Sequence, residues 1–259
     1  MTKSGPVDSR WQNLCKLGGV AALVIAALLL GEIVVYAALP RASTVTEHLA
    51  LFRENWFFGL LTMDLLGMIC YLLFIPMVLS LYVTLRADGA ALPAVATALF
   101  FVGIADFFAT NTAFPLLSLS RQYAATSGDV EGAMFLAAGQ TMLSLFNENA
   151  FLVSYVIVSA AWSLIGCAML RCSLFGRITA YAGILAGAAG IVAVVLEHVG
   201  ATARIVSLAI ALYFAAIVFL FLWVVLAGGR LYKLGANSRV AQHRRRSLAL
   251  RRASEARKG

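Results

Sequence analysis

Residues 17–39 read LGGVAALVIAALLLGEIVVYAAL and run into Pro40. As a helix this stretch extends roughly 34 Å at 1.5 Å per residue, enough to cross a hydrocarbon core about 30 Å thick. Its one charged residue is Glu32. The segment before it carries Lys3, Arg10 and Lys16. The apolar run is too long for the core of a cleaved signal peptide and reads as a signal anchor.

The rest of the chain has the same texture. Its 259 residues are 62% hydrophobic and 12% charged, with mean hydropathy +0.90, whereas a soluble domain is about a quarter charged. Only lipid keeps so much apolar surface out of water, so the expectation is an all-α polytopic membrane protein. A β-barrel is not expected, because its strands alternate in polarity over about ten residues and these apolar runs are long and continuous.

Five more spanning helices are expected, at 56–85, 92–116, 150–170, 178–199 and 203–226. The second is longer than the bilayer core, and Pro76 marks a kink in it. Trp56, Phe57 and Phe58 suit a membrane interface. Residues 41–55 and 118–128 are polar and read as loops. Residues 130–146 read as an amphipathic outer-side helix before the fourth spanning helix, with Asn147-Glu148-Asn149 as a break or polar waist. Gly183 and Gly187 make a G-x-x-x-G packing signal. The sixth helix is almost purely apolar, as suits a lipid-facing element. The organisation is thus an N-terminal segment (1–16), a six-helix transmembrane domain (17–228) and a basic tail (229–259).

Charge supplies the orientation. One side holds Lys3, Arg10, Lys16, Arg86, Arg171, Arg177 and the basic residues of the tail. The other holds Arg41, Arg53, Arg121 and Arg204, diluted by Glu47, Glu54, Asp129, Glu131 and Glu148. The positive-inside rule places both termini in the cytoplasm. Much of the net charge of +8 lies in the tail, which is suited to anionic lipid headgroups; nucleic acid is not an expected partner of a lipid-embedded chain. The cysteines are Cys15, Cys70, Cys167 and Cys172. None falls in an outer loop, so no exported disulfide is indicated, and the spacing of the last two does not suit structural zinc.

Three acids lie inside the expected spans: Glu32, Asp64 and Asp106. Helices 1 and 3 rise from inside and helix 2 descends from outside. At 1.5 Å per residue, Glu32 and Asp64 then fall about 10 Å below the outer end and Asp106 about 12 to 15 Å below it. An acid at mid-helix costs about 2.5 to 3.5 kcal/mol on insertion scales, so the layer needs a reason. The candidates are protonation, a bound cation, or a structural network with Tyr36, Tyr71, Thr110 and Asn111. Asn111, Asn147, Glu148, Asn149, Glu197 and His198 lie above the layer, and the inner halves of the helices carry almost nothing ionisable. That asymmetry describes a vestibule open to the outside and sealed toward the cytoplasm.

The expected ligand-binding residues are therefore Glu32, Asp64, Asp106, Asn111, Asn147, Glu148, Glu197 and His198. The ligand would be a cation, protons, or a small polar or lipidic molecule, and the role transporter-like or sensory. One alternative is a structural subunit that completes its site with a membrane-protein partner. Another is an intramembrane metal-dependent hydrolase using His48, His198 and a carboxylate. No H-E-x-x-H motif supports the enzyme, so a non-enzymatic reading is preferred and no metal site is assigned. No P-loop or dinucleotide fingerprint is present, no Lys lies mid-helix to hold retinal, and no cofactor is identified. Gly18 precedes Glu32 by the same spacing as Gly183 precedes Glu197, which would fit a repeat, although Gly/Ala-rich helices produce such matches readily.

Several anchors carry a family resemblance. They are Phe58-Gly59-Leu60 with Asp64; Asn149, Phe151-Leu152 and Trp162-Ser163-Leu164; and Ser173, Gly176-Arg177, Tyr181 and Gly183-Ile184-Leu185. Across helices 2 to 5 the chain resembles a widespread bacterial family of multipass membrane proteins catalogued only as a domain of unknown function. The resemblance implies a fold of about six helices and a location in the bacterial cytoplasmic membrane. It implies no activity and no catalytic residues, and the basic tail lies outside it.

Overall fold

The computed structural model describes residues 11–39, 42–199 and 202–255, with side chains described throughout except at 149–151 and 237–255. No strand forms among the described residues. Six helices are long and apolar enough to cross a membrane, so the chain is an all-α polytopic protein.

The spanning set comprises α1 (Gln12–Ala38), α4 (Leu65–Leu85), α5 (Ala91–Thr110), α8 (Ser154–Arg171), α9 (Arg177–Val199) and α10 (Ala203–Glu255). The apolar part of α10 ends at Ala236. These helices pack in a closed ring in the order α1, α4, α5, α8, α9, α10 and back to α1. Their shared core contains Phe74, Met77, Phe100, Trp162, Met169 and Trp223. The outward faces carry exposed apolar side chains, such as Leu23, Leu30, Leu72, Val102, Leu185, Phe214 and Val218. So continuous an apolar exterior is a lipid-facing surface.

Two close approaches set the spacing of the ring. A Cβ on Gly187 would meet the Ser159 carbonyl oxygen and the Ser163 side chain, so α8 and α9 touch nearly backbone to backbone. A Cβ on Gly19 would lie 2.7 Å from Cα of Tyr232. That second contact lies beyond residue 228: α10 continues past the expected start of the tail, Leu231 is fully buried, and the Gly235 backbone lies against Lys16 and Gln12. The sixth helix is accordingly lipid-facing on one side only. Ala216, Leu220, Trp223, Val224, Ala227 and Leu231 are buried on its other side.

Away from the termini sits a cap of α2 (Val45–Glu54), α3 (Trp56–Thr62), α6 (Ala113–Ala125) and α7 (Asp129–Leu145). Its own core includes Val45, Leu49, Phe52, Leu60, Leu116, Leu119 and Leu143. Residues 41–55 and 118–128 were expected as loops; most of both are helix. The first carries a capping box, in which the Thr44 side chain accepts from the Glu47 amide and the Glu47 side chain accepts from the Thr44 amide. Ser120 Oγ then donates 2.7 Å to Leu49 O, tying α6 to α2.

Two expected spans are interrupted. The second breaks at Met63 and Asp64, so α3 belongs to the cap, while α4 runs on through Pro76. The third breaks at Asn111 and Thr112. Pro115 has no N–H to donate to the carbonyl four residues back, and it sits in the first turn of a new helix, where that loss costs least. Asn111 stabilises the break by accepting from the Ala113 amide at 3.1 Å. Residues 130–146 form α7 on the cap side, ahead of α8 as expected. The waist at Asn147 and Glu148 is a π-helical segment, Phe146–Val153, joining α7 to α8, a local widening that is frequent at functional sites.

Candidate functional site in the cap-side vestibule

The buried stripe of α1 runs through Cys15, Gly18, Ala22, Ile25 and Leu29 and then stops. One turn further the same face carries Glu32, half-buried, and beyond it Tyr36, which is 66% exposed. Burial on α9 likewise ends at Val194. The ring therefore opens at the cap-side ends of α1 and α9. Toward the termini it is closed by Trp223 and Met169, whose Nε1–H and sulfur lie 3.4 Å apart, and by Phe74 and Trp162 with ring centroids 6.0 Å apart.

Glu32 and Asp64 come together at this opening. Asp64 lies within electrostatic reach of Glu32 and of Tyr71. The Cys70 thiol hydrogen-bonds the Glu32 carboxylate. The Asp64 backbone is left-handed (φ 65°, ψ 35°), the single non-glycine residue of positive φ among those described. Asp tolerates this region better than most side chains because it can bond locally. Here its carboxylate turns over the start of α4, toward Gly67, and occupies the space that a Cβ on residue 67 would need. Among the described residues no Lys or Arg pairs with either acid.

A line of tyrosines leads away from the pair. Tyr71 packs on Phe107 with ring centroids 4.4 Å apart, and it hydrogen-bonds Ser154. Tyr155 follows, with its ring centroid 6.1 Å from that of Tyr213 and 6.2 Å from that of Trp162. Tyr213 donates a 2.6 Å hydrogen bond to Glu197 and lies within electrostatic range of Tyr36. The wall is thus built from α1, α4, α8, α9 and α10. Tyr36 and Tyr71 are legible as polar positions inside spans. Tyr155 and Tyr213 are not, because a tyrosine in an apolar run reads equally well as core or interface.

The remaining expected site residues fall at two other places. His198 Nε2 lies 3.7 Å from Glu148, both partly exposed, so the end of α9 is latched to the π-helical segment. Asn147 is exposed in that segment and Asn111 caps α6. Asp106, on α5, has a buried Oδ2 without a hydrogen-bond partner among the described residues. Of the three acids, Glu32 and Asp64 interact with each other. The Asn149 side chain lies outside the described residues. His48 lies in the cap with its Nδ1 buried and without a hydrogen-bond partner among the described residues, and His198 lies at the end of α9. Among the described residues no three His, Cys, Asp or Glu side chains converge as metal ligands.

A second concavity lies on the cap. It is an open groove of about 820 Å³ between α2, α6 and α7, lined by Arg53, Glu54, Tyr123 and Asp129 among others. Its lining mixes both signs of charge. Comparison of the chain with protein-family models, with curated proteins and with solved structures finds no match in any of the three.

Proposed function

We propose that the chain is a multipass protein of a bacterial cytoplasmic membrane, with both termini in the cytoplasm, whose vestibule binds a cationic ligand from the outer side. The observation that carries this reading is the juxtaposition of Glu32 and Asp64 without a basic partner among the described residues. Two carboxylates brought together in an apolar bundle favour either a shared proton or a cation. The exposed cap-side ends of α1 and α9 and the apolar floor support binding from one side, as a receptor or an outward-facing transporter would require. The basic residues at the ends of α1, α4, α8 and α9 and in the tail support the orientation. The tail itself suits anionic headgroups. The anchors that resemble a bacterial family of unknown function point to the same location.

The test is thermal unfolding of the purified full-length chain in detergent as a function of cation concentration and pH. Asp64→Asn and Glu32→Gln alter that dependence, whereas Asp88→Asn, at the termini side, leaves it as in the parent. Equal and small effects for all three variants would sink the proposal.

A further inference from the structure

The chemistry of the vestibule wall goes further than its charge. We infer that its ligand is an organic ammonium ion, held by the Glu32–Asp64 pair and by the faces of Tyr71, Tyr155 and Tyr213. This rests on the cation reading above and narrows it.

Four of the chain's eight tyrosines meet at this opening: Tyr36, Tyr71, Tyr155 and Tyr213. They come from four different helices, so no local sequence pattern accounts for the gathering. Tyr155 and Tyr213 are in ring contact, with centroids 6.1 Å apart and planes tilted by 52°, and form one aromatic wall. Aromatic faces attract cations through their quadrupole, more strongly once the cation has lost water, and this is how quaternary ammonium groups are recognised.

A metal ion is less well served. Hard cations take six to eight oxygen ligands or a near-octahedral shell. Here one carboxylate is engaged by the Cys70 thiol and the other is turned over the start of α4, and no third ligating side chain converges among the described residues. An ammonium ion on an apolar body needs charge neutralisation from one side and an apolar, polarisable wall on the other. The acid pair lies on the α1–α4 side of the opening and the Tyr155–Tyr213 wall on the α8–α10 side, with Tyr71 between them.

The floor closes the site from below. Trp162 is 4% exposed, lies edge-on beneath Tyr155, and keeps an Nε1–H with no hydrogen-bond partner among the described residues. Folding leaves buried donors unpaired only rarely. The Trp162 Nε1 is fully enclosed, so contacts to the ligand come from the wall above the floor.

The experiment titrates benzyltrimethylammonium, potassium, magnesium and zinc separately against the full-length protein in detergent and follows thermal unfolding. The expected result is a saturable rise in Tm with benzyltrimethylammonium alone. Asp64→Asn abolishes it, Tyr213→Leu weakens the apparent affinity about tenfold, as loss of a desolvated cation–π contact predicts, and Tyr213→Phe retains it. The phenylalanine variant separates loss of the ring from loss of folding. If a metal ion gives the Asp64-dependent shift and benzyltrimethylammonium gives none, the ammonium assignment is overturned while the cation vestibule stands. If none of the four gives a shift, both are overturned. A benzyltrimethylammonium shift that survives Asp64→Asn and Tyr213→Leu is nonspecific and also overturns the assignment.

Discussion

The Asp64 carboxylate occupies the space above Gly67 at the start of α4 that a side chain on residue 67 would need. Two constraints meet there: a left-handed backbone at Asp64 and a missing Cβ three residues later. Left-handed geometry costs a non-glycine residue about 1–3 kcal/mol, least for Asp and Asn and most for a β-branched side chain. Asp64→Asn is therefore expected to unfold near the parent temperature, and Asp64→Val to lose about 1–3 kcal/mol. Gly67→Ala keeps the backbone but displaces the carboxylate, so it should reproduce the ligand phenotype of Asp64→Asn. Thermal unfolding in detergent, with and without cation, separates the two effects.

The same locality explains what was legible in the chain. Spans are read from apolar runs, and six spanning helices were visible because no aqueous fold tolerates those runs. The interruptions were not visible, because Met63-Asp64 and Asn111-Thr112 are short polar notches in otherwise apolar sequence and hydropathy averages over them. Pro115 was a readable signal of the second break, since it cannot donate to the carbonyl four residues before it, although Pro76 is carried inside α4 without a break. The capping box at Thr44 and Glu47 was readable too, and it marks α2 where polarity alone suggests a loop. Glu32 and Asp64 could be placed at one depth by counting residues. Their contact depends on how the helices are rotated in the ring.

The cap should weaken on acidification. Hydrogen bonds from the Ser43 amide, the Ser43 hydroxyl and the Thr44 amide hold the exposed Glu47 carboxyl below its ordinary 4.5. A depressed folded pKa means that this contribution is complete above the unfolded value and is lost as pH falls through the folded value. Burial holds His48 below its ordinary 6.5, opposed by nearby Glu47. Below 6.5 the unfolded cap therefore binds a proton that the folded cap refuses, and stability falls with pH until the folded value is passed. Hydrogen exchange of the α2 amides between pH 7 and pH 4 should show both losses. His48→Leu removes the upper one and Glu47→Gln the lower.

The contact between α8 and α9 leaves no room at Gly187, where a Cβ meets the Ser159 carbonyl oxygen. Gly187→Val is expected to cost about 1–3 kcal/mol through overpacking. Gly229→Ala, in open space, should be neutral or slightly stabilising, since Ala favours a helix over Gly by about 1 kcal/mol. Unfolding midpoints of the two variants in one detergent provide the comparison.

Trp223 is fully buried in the floor. Trp223→Ala is expected to cost about 3–5 kcal/mol and to leave a cavity between α9, α10 and Met169. If the protein still folds, the floor leaks, and proteoliposomes containing the variant should pass small cations that the parent excludes.

The central claim is that the acid pair is reached from the cap side alone. It is tested most directly with single cysteines at Tyr36→Cys, Tyr213→Cys and Trp223→Cys, after the four native cysteines have been replaced by alanine, using a membrane-impermeant maleimide applied from each face of oriented vesicles. The expected result is labelling at 36 and 213 from the face opposite the termini only, and none at 223 from either face. Labelling at 213 from the termini face, or equal labelling at all three positions, would contradict a vestibule sealed by the Trp223 floor.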